Sequence, residues 1–222
     1  MARSALSYLP PPSAPPDVIY QDEFLLAINK PSGLLTVPGR GPDKADCLIA
    51  RTHHRFPEAK VVHRLDMETS GLILFARDLN TQRALGQLFE SRRMQKTYVA
   101  VVNGKPEPES GEINAPLTAD WPNRPRQKVD FESGKPSCTR YHVIAADLLQ
   151  NRSRLRLHPV TGRSHQLRVH LLWLGHPIVG DTLYGTPSPQ GSSNRLMLHA
   201  ESLVFEHPIT CEPLKLYCPT PF

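Results

Sequence analysis

Residues 61–77 read Val61-Val-His-Arg-Leu-Asp-Met-Glu-Thr-Ser-Gly-Leu-Ile-Leu-Phe-Ala-Arg, and this stretch says more about the fold than any other. It joins a polar loop, which holds His63, Arg64 and Asp66, to an apolar run of strand length, Leu72–Ala76. A short apolar run next to a glycine is typical of a buried β-strand. The sequence therefore predicts a loop that carries a carboxylate and a basic neighbour directly before a core strand.

The segments on either side alternate irregularly between strand and helix patterns. Strands are predicted from residue 18 and at 24–29, 96–103, 139–146, 152–158 and 196–205. Helices are predicted at 43–56, at 79–92, where Leu85, Leu88 and Phe89 share one face, and at 164–174, closed by Gly175. Residues 104–137 are rich in Pro, Gly and Asn, which predicts hairpins and loops with Trp121 exposed. Because strands outnumber helices and no regular βαβ alternation occurs, we predict an α+β fold with a mixed, largely antiparallel sheet flanked by helices and loops.

The composition is that of a globular protein with an unusual amount of proline. Hydrophobic residues make up 39% of the 222 residues and charged residues 21%, which excludes disorder throughout. The 23 prolines are about twice the usual share, and five of them lie in the first 16 residues. We therefore predict a flexible Pro-rich leader over residues 1–17 and one folded domain over residues 18–222.

The cysteines and the hydropathy pattern indicate the cellular compartment of the protein. The four cysteines form no CxxC pair, are too sparse for a disulfide scaffold and lack the spacing of a zinc site. No apolar run approaches the ~18 residues that span a bilayer, and the apolar stretch at the start is too short for a secretion signal. We therefore expect a soluble cytoplasmic protein with no membrane partner.

The net charge of +5 permits a polyanionic partner but does not require one. The positive residues are concentrated in three clusters, which are Arg152, Arg154, Arg156, Arg163 and Arg168 in an acid-free stretch between Asp147 and Asp181, then Arg124, Arg126 and Lys128 beside Trp121, and finally Arg92, Arg93 and Lys96. Each cluster alone could be a solvated surface. Together, with a tryptophan that could stack on a base, they favour a phosphate-binding surface for RNA.

The residues alone leave the chemistry of the central loop open. Asp66 could belong to a structural ion pair, or it could pair with Glu68 for acid–base catalysis, but their relative orientation cannot be read from the sequence. The five histidines at positions 158–199 show neither HxxxH nor HExxH spacing, so we expect no metal site.

The central loop also resembles a known family signature. His63–Gly71 has the pattern His-Arg-Leu-Asp-x-x-Thr-Ser-Gly, which is similar to the signature of the RluA family of pseudouridine synthases. Four more segments resemble motifs of this family, in the same order along the chain: Lys30-Pro-Ser-Gly-Leu-Leu, Gln95-Lys-Thr-Tyr-Val-Ala, the segment from His158 to His170, and Arg195-Leu-Met-Leu-His-Ala. The resemblance covers residues 18–222, so it implies the pseudouridine synthase catalytic fold for the whole predicted domain.

The resemblance implies an isomerase that converts selected RNA uridines to pseudouridine. The N1–C1′ bond breaks, the uracil turns in the pocket, and C5 joins C1′. Asp66 matches the catalytic aspartate, whose role is nucleophilic, and Arg168 matches a partner whose positive charge favours the ionised carboxylate. Tyr98 matches an aromatic residue that stacks on the uracil and is a candidate for removing the C5 proton. The resemblance implies no metal and no organic cofactor.

Six further residues are expected to bind the RNA. Leu198 matches an apolar residue that packs against the base, and Arg64 matches a residue that fills the stack left by the flipped base. The basic clusters add four candidates for RNA contacts, namely Arg163, His165, Trp121 and Arg124.

The choice of RNA is less closely defined. The chain before residue 18 is too short for an S4 RNA-binding domain, so we expect docking to use the catalytic domain itself. The segments 120–129 and 134–136 resemble a dual-specificity subgroup that modifies an anticodon-loop uridine of some tRNAs and a loop uridine of 23S rRNA. The alternatives are a relative acting on a single different tRNA or rRNA site, a non-catalytic RNA-binding or folding protein, and a hydrolase that uses Asp66 and Glu68. We expect the protein to be a monomer.

Overall fold

A ten-stranded sheet forms the centre of the molecule in a computed structural model, which describes residues 8–185 and 193–222. The strands are β1 (Asp17–Gln21), β2 (Leu25–Lys30), β3 (Lys60–Val61), β4 (Ser70–Ala76), β5 (Gln95–Asn103), β6 (Ser110–Asn114), β9 (Cys138–Asp147), β10 (Arg152–Pro159), β11 (Leu198–Glu206) and β12 (Pro213–Tyr217). Their order is β1-β2-β4-β11-β5-β10-β9-β6, with β12 on β11 and β3 on β4. Among the described strands, only the β4–β11 pair is parallel, which confirms the predicted α+β class with a largely antiparallel sheet.

The remaining elements lie around this sheet. The α-helices are α1 (Leu48–His53), α2 (Leu79–Glu90) and α3 (Gln166–Trp173), and short 3₁₀ turns cover Pro42–Lys44 and Trp121–Asn123. A separate two-stranded hairpin joins β7 (Leu117–Ala119) to β8 (Gln127–Val129). Of the hairpins and loops expected in residues 104–137, one hairpin, β7–β8, is present, and the exposed Trp121 lies at its tip.

The central strands are apolar on both faces. Along β4, Leu72 and Leu74 face a cluster that includes α2, whereas Ile73 and Phe75 face a second cluster that includes α1. Because successive side chains of a strand point to opposite faces, burial on both sides requires the continuous apolar run seen in the sequence. The predicted buried strand over Leu72–Ala76 is confirmed.

The sheet brings distant parts of the chain into one row. Gly71 of β4 lies opposite Ala200 of β11, Ala200 lies opposite Tyr98 of β5, and Tyr98 lies opposite Leu157 of β10. The loop that precedes β4 therefore ends close to the strand that carries Tyr98. Strand β10 pairs with that strand and is followed along the chain by α3, which carries Arg168.

Three details differ from the sequence predictions. Strand β12 was not predicted, because its exposed, alternating side chains give only a short pattern. Helix α1 is shorter than the predicted 43–56, since the backbone N–H groups of Leu48 and Ile49 are bound by the carbonyls of Leu35 and Thr36. Helix α3 begins at Gln166 rather than at residue 164, because His165 adopts a left-handed backbone conformation with φ of 55°.

Part of the Pro-rich segment contacts the domain. The carbonyls of Pro11 and Pro12 accept hydrogen bonds from the Arg51 guanidinium at 2.7 and 3.1 Å, and the Tyr8 hydroxyl donates to the Asp46 carbonyl at 3.0 Å. Residues 1–7 of the predicted leader lie outside the described residues, so flexibility there stays a prediction.

Within the described ranges, no helix is long and apolar enough to cross a membrane.

Candidate active site

The loop between β3 and β4 carries Asp66 at a partly exposed position. Leu65 is anchored in the apolar cluster beneath the loop, whereas Arg64 is exposed and the Asp66 side chain retains 25% of its exposure. The backbone N–H of Thr69 donates to the Asp66 carbonyl at 3.1 Å and closes a turn. The buried Leu65 lies between Arg64 and Asp66, and it therefore fixes the direction in which the Asp66 carboxylate points.

A second loop, residues 30–36, binds the backbone of this turn. The Ser32 hydroxyl donates to the Glu68 carbonyl at 2.7 Å, and the Gly33 N–H donates to the Met67 carbonyl at 2.9 Å. The Thr36 hydroxyl donates to the carbonyl of Leu65 at 2.9 Å. These contacts bind the residues directly before and after Asp66 in the sequence. They therefore hold the backbone of Asp66 in place before any substrate binds.

Lys30, at the end of β2, also binds the backbone of the two loops. Its side chain is fully buried, and the ammonium donates to the carbonyls of Pro31, Leu34 and Met67 at 2.7–2.9 Å. Burial lowers the pKa of Lys30 to about 7, against the opposing effect of the Asp66 and Glu68 carboxylates. The sequence analysis noted Lys30 only as part of a motif, because an isolated lysine gives no signal that it is buried.

Arg168 projects from α3 to the Asp66 carboxylate. Its Nη1 lies 3.7 Å from Asp66 Oδ2, and only 2% of the side chain is exposed. This places the charge of Arg168 beside Asp66, as the predicted pairing requires. Its burial is incompatible with the other interpretation, a phosphate contact on the basic surface.

Asp181 is a functional candidate that the sequence analysis missed. It accepts hydrogen bonds from Arg168 Nε at 2.8 Å and Nη2 at 2.7 Å, and it also binds the backbone N–H groups of Leu183 and Tyr184. Although burial opposes ionisation, the bonds and charge of Arg168 lower the pKa of Asp181. The Nε–Nη2 edge of the guanidinium is thus occupied by Asp181, and Nη1 is left to face Asp66. In the sequence Asp181 was visible only as the end of an acid-free stretch.

His165 approaches the other oxygen of the same carboxylate. Its Nε2 lies 4.0 Å from Asp66 Oδ1, and its Nδ1 lies 2.6 Å from the Tyr184 hydroxyl. Burial lowers the pKa of His165, and Arg168 adds to this effect, whereas Asp66 and Asp181 oppose it. The expected RNA contact therefore lies beside the carboxylate, with 14% of its side chain exposed.

Tyr98 and Leu198 are the apolar candidates of the site, and they pack in one cluster. Leu198 is 2% exposed and belongs to the cluster against which the half-buried Tyr98 ring packs. Burial and the charge of Asp66 raise the pKa of Tyr98, so the side chain is a neutral phenol at pH 7. A flat ring beside a carboxylate suits a planar base, and the phenol's part in proton removal stays a prediction.

The other predicted RNA contacts lie at the surface. Arg64, Arg163, Trp121 and Arg124 are exposed, and the Arg124 guanidinium stacks 3.2 Å from the centroid of a Trp121 ring that is 66% exposed. The β7–β8 hairpin that carries the stacked pair is tied to the site, because the Gln127 N–H donates to the Tyr184 hydroxyl at 2.8 Å. Over residues 8–185 and 193–222, no group of three or more His, Cys, Asp and Glu residues could hold a metal ion.

Comparison with known proteins agrees with the chemistry of this site. Residues 24–173 match the family described as RNA pseudouridylate synthase, and the matched range contains Asp66, Tyr98 and Arg168. The chain belongs to the RNA pseudouridylate synthase family. The predicted family and its isomerase activity are thereby confirmed, and the chain is an RNA-modifying enzyme rather than a hydrolase or a non-catalytic RNA-binding protein.

Several curated relatives in this family are similar over nearly their whole length. The chain is 48% identical over 217 residues to a protein of Pasteurella multocida, covering 98% of this chain and 99% of the relative. It is 46% identical over 218 residues to a protein of Escherichia coli strain K12, covering 97% and 98%. Both relatives are named dual-specificity RNA pseudouridine synthase RluA.

Solved structures of RNA pseudouridylate synthases share the fold. Human RNA pseudouridylate synthase domain containing 1 superposes with a TM-score of 0.76 at 30% identity, covering 96% of this chain and 87% of that one. Human RNA pseudouridylate synthase domain containing 4 gives a TM-score of 0.72 at 27% identity, covering 92% and 88%. The predicted pseudouridine synthase fold is confirmed.

Proposed function

We propose that Asp66, Arg168 and Tyr98 carry out uridine isomerisation in this chain, with an anticodon-loop uridine of tRNA and a loop uridine of 23S rRNA as substrates. The observation that carries the site assignment is the placement of the partly exposed Asp66 carboxylate against the buried Arg168 guanidinium, 3.7 Å away. An exposed ion pair would be screened by water, whereas the charge of a buried cation acts on a neighbouring carboxylate through a medium of lower dielectric constant.

The proposed reaction leaves the elemental composition of the substrate unchanged. As the N1–C1′ bond breaks, Asp66 either attacks C1′ and forms an ester or, in a glycal route, takes the C2′ proton and later returns it. The free uracil turns so that C5 faces C1′, the C5–C1′ bond forms, and Asp66 is released. The C5 proton is then lost to solvent while N1 takes up a proton, and the product has the mass of the substrate.

The apolar residues of the site suit the rotation step. Tyr98 and Leu198 offer a flat, uncharged surface on which the detached uracil can turn without losing contact. Because RNA bases must leave the stack to reach such a site, the exposed Arg64 beside Asp66 is the residue proposed to occupy the vacated position.

The proposal of two substrates rests on the similarity to the dual-specificity relatives. The stacked Trp121–Arg124 pair and the exposed Arg163 are proposed to bind the folded RNA around the target loop, since stacking and phosphate contacts tolerate different sequences. The protein is proposed to act as a monomer in the cytoplasm.

Release of tritium from RNA that carries 5-tritiated uridine tests the catalytic assignment. The purified chain should release tritium from tRNA, and Asp66→Asn, which keeps the shape of the side chain but removes its charge, should reduce the rate by at least about 10⁴-fold. Glu68→Gln is the matched control and should retain activity. An Asp66→Asn variant with wild-type rate would remove Asp66 from the mechanism.

The substrates are identified by mapping pseudouridine in tRNA and rRNA from a strain that lacks this chain. Loss of one tRNA site and one 23S rRNA site, both restored by the wild-type chain, is the expected result. Loss of a single site would favour the alternative of one RNA substrate.

A further inference from the structure

His165 has a backbone that its position in the sequence does not explain. Its φ of 55° lies in the left-handed region, which is sparsely populated by residues other than glycine. Such a conformation persists only where the surroundings enforce it, and it is concentrated at functional sites. Because His165 immediately precedes α3, this backbone turns its ring away from the helix and towards both Tyr184 and Asp66.

The hydrogen bonds around Tyr184 determine which nitrogen of His165 carries the proton. The Tyr184 oxygen accepts from the Gln127 N–H at 2.8 Å and lies 2.6 Å from His165 Nδ1. A separation this short suits an O–H donor. If the Tyr184 hydroxyl donates to Nδ1, the ring proton lies on Nε2 and faces the Asp66 carboxylate. The opposite tautomer would place a lone pair against that negative charge.

Burial, rather than the neighbouring charges, favours a neutral His165 ring. Asp66 and Asp181 favour a protonated ring, and Arg168 disfavours it. Burial is the largest influence and lowers the pKa of His165, while burial raises the pKa of Tyr184 to about 12 and keeps its hydroxyl protonated. Both members of the Tyr184–His165 pair are therefore neutral at pH 7.

We propose that His165 is a positioning residue that holds one oxygen of Asp66 through its Nε2–H, and that Tyr184 fixes the required tautomer. Arg168 Nη1 lies 3.7 Å from Oδ2 and His165 Nε2 lies 4.0 Å from Oδ1, so each oxygen of the carboxylate has a nitrogen beside it. Both separations are longer than a hydrogen bond, and the proposal requires the His165 contact to tighten when substrate binds. This inference rests on the proposed nucleophilic role of Asp66.

Two amide substitutions at His165 test the proposal. In His165→Gln the amide nitrogen can reach the place of Nε2, whereas in His165→Asn it lies near the place of Nδ1. We expect His165→Gln to keep single-turnover tritium release within about 5-fold of wild type and His165→Asn to lose at least about 10-fold. The dissociation constant for tRNA should stay within about 2-fold of wild type in both variants, since the ring acts on Asp66 rather than on RNA.

The comparison is protected against a trivial loss of folding. Asn adopts the left-handed backbone of residue 165 more readily than Gln, so a slower Asn variant cannot be explained by backbone strain. Equal rates for the two variants would overturn the proposal, as would a loss of tRNA affinity that matches the loss of rate. If wild type itself released no tritium, the proposed function would fail instead.

A nitrogen NMR experiment tests the role of Tyr184 without an activity measurement. In protein with ¹⁵N-labelled histidine, the His165 signals, assigned by their absence from His165→Gln, should show the Nε2–H tautomer. Tyr184→Phe removes the hydroxyl and should shift the ring towards Nδ1–H. An Nδ1–H tautomer in wild type, or no change in Tyr184→Phe, would contradict the proposed arrangement.

Discussion

Arg168 shows how one side chain depends on a partner that its motif does not contain. The resemblance identified Arg168 as the partner of Asp66, and the structure adds Asp181, which binds Nε and Nη2 and leaves Nη1 for Asp66. The pairing of Arg168 with Asp66 could be predicted from motif order. Its pairing with Asp181 could not, because a carboxylate at the end of a loop carries no local pattern that reveals its burial.

Asp181→Asn should destabilise the fold strongly. The substitution leaves the buried Arg168 without its anionic partner, and breaking such a pair costs roughly 3 to 5 kcal/mol. The pKa of Asp181 is lowered in the folded chain, so its contribution is complete above the unfolded value of 3.8 and is lost as the pH falls below it. Urea unfolding should therefore show the full difference at pH 7 and a smaller one near pH 3.

Glu112→Gln is the matched control for that measurement. Glu112 accepts a hydrogen bond from Arg140 Nε at 2.9 Å, but both side chains are exposed. An exposed pair contributes about 0 to 1 kcal/mol, so the control should unfold almost like wild type. Equal destabilisation by both substitutions would mean that the buried Asp181–Arg168 pair contributes no more to the free energy of unfolding than an exposed pair.

The signature motif ends at Gly71, the second residue of strand β4. The pairing of β4 with β11 explains why this residue is a glycine. Gly71 has φ of 108°, and a Cβ at this position would lie 2.3 Å from the Ala200 carbonyl oxygen of β11. The two strands run parallel here, which brings the two backbones together directly after the Asp66 loop. Hydrophobic periodicity predicted β4 itself, but not its parallel partner, because β11 lies more than a hundred residues further along the chain.

Gly71→Ala should therefore destabilise the fold by about 2 to 5 kcal/mol, combining backbone strain with the contact against Ala200. The measurement is the free energy of unfolding in urea, together with tritium release, since Asp66 lies on the loop that leads into this strand.

Gly86→Ala on α2 is the control for the added methyl group. A Cβ there meets nothing within 4 Å, so the substitution should stabilise the helix by about 0.5 to 1 kcal/mol. Wild-type stability in Gly71→Ala would show that β4 and β11 can separate at no cost.

At the scale of the whole molecule, RNA binding depends more on where the positive charges lie than on the net charge. The net charge is only +5, yet Arg64, Arg124 and Arg163 are exposed while Arg168 is buried against Asp181. The sequence analysis grouped Arg163 and Arg168 in one acid-free stretch. The fold separates them, because Arg168 lies on the inner side of α3 and Arg163 lies in the loop before it.

Arg124→Ala should weaken tRNA binding and lower its salt dependence. Loss of one phosphate contact reduces the slope of log Kd against log salt concentration by about 1. Trp121→Leu should weaken binding at every salt concentration with little change in slope, since stacking on a base releases no counterions. Titrations between 50 and 200 mM salt distinguish the two variants, because a slope change of about 1 alters the ratio of the variant and wild-type Kd values about 4-fold over this range. An unchanged slope in Arg124→Ala would place Arg124 outside the RNA contact.

The resemblance carried by the motifs implied the family and the isomerase reaction, and hydrophobic periodicity predicted most of the strands and helices, because motifs and periodicity are local properties of the chain. Only the tertiary structure decided that Lys30 is buried beneath the Asp66 loop, that Asp181 holds Arg168, and that Tyr184 contacts His165. These contacts join residues from separate strands, loops and helices. Their energies depend on burial and on hydrogen-bond geometry, which exist only when the chain has folded.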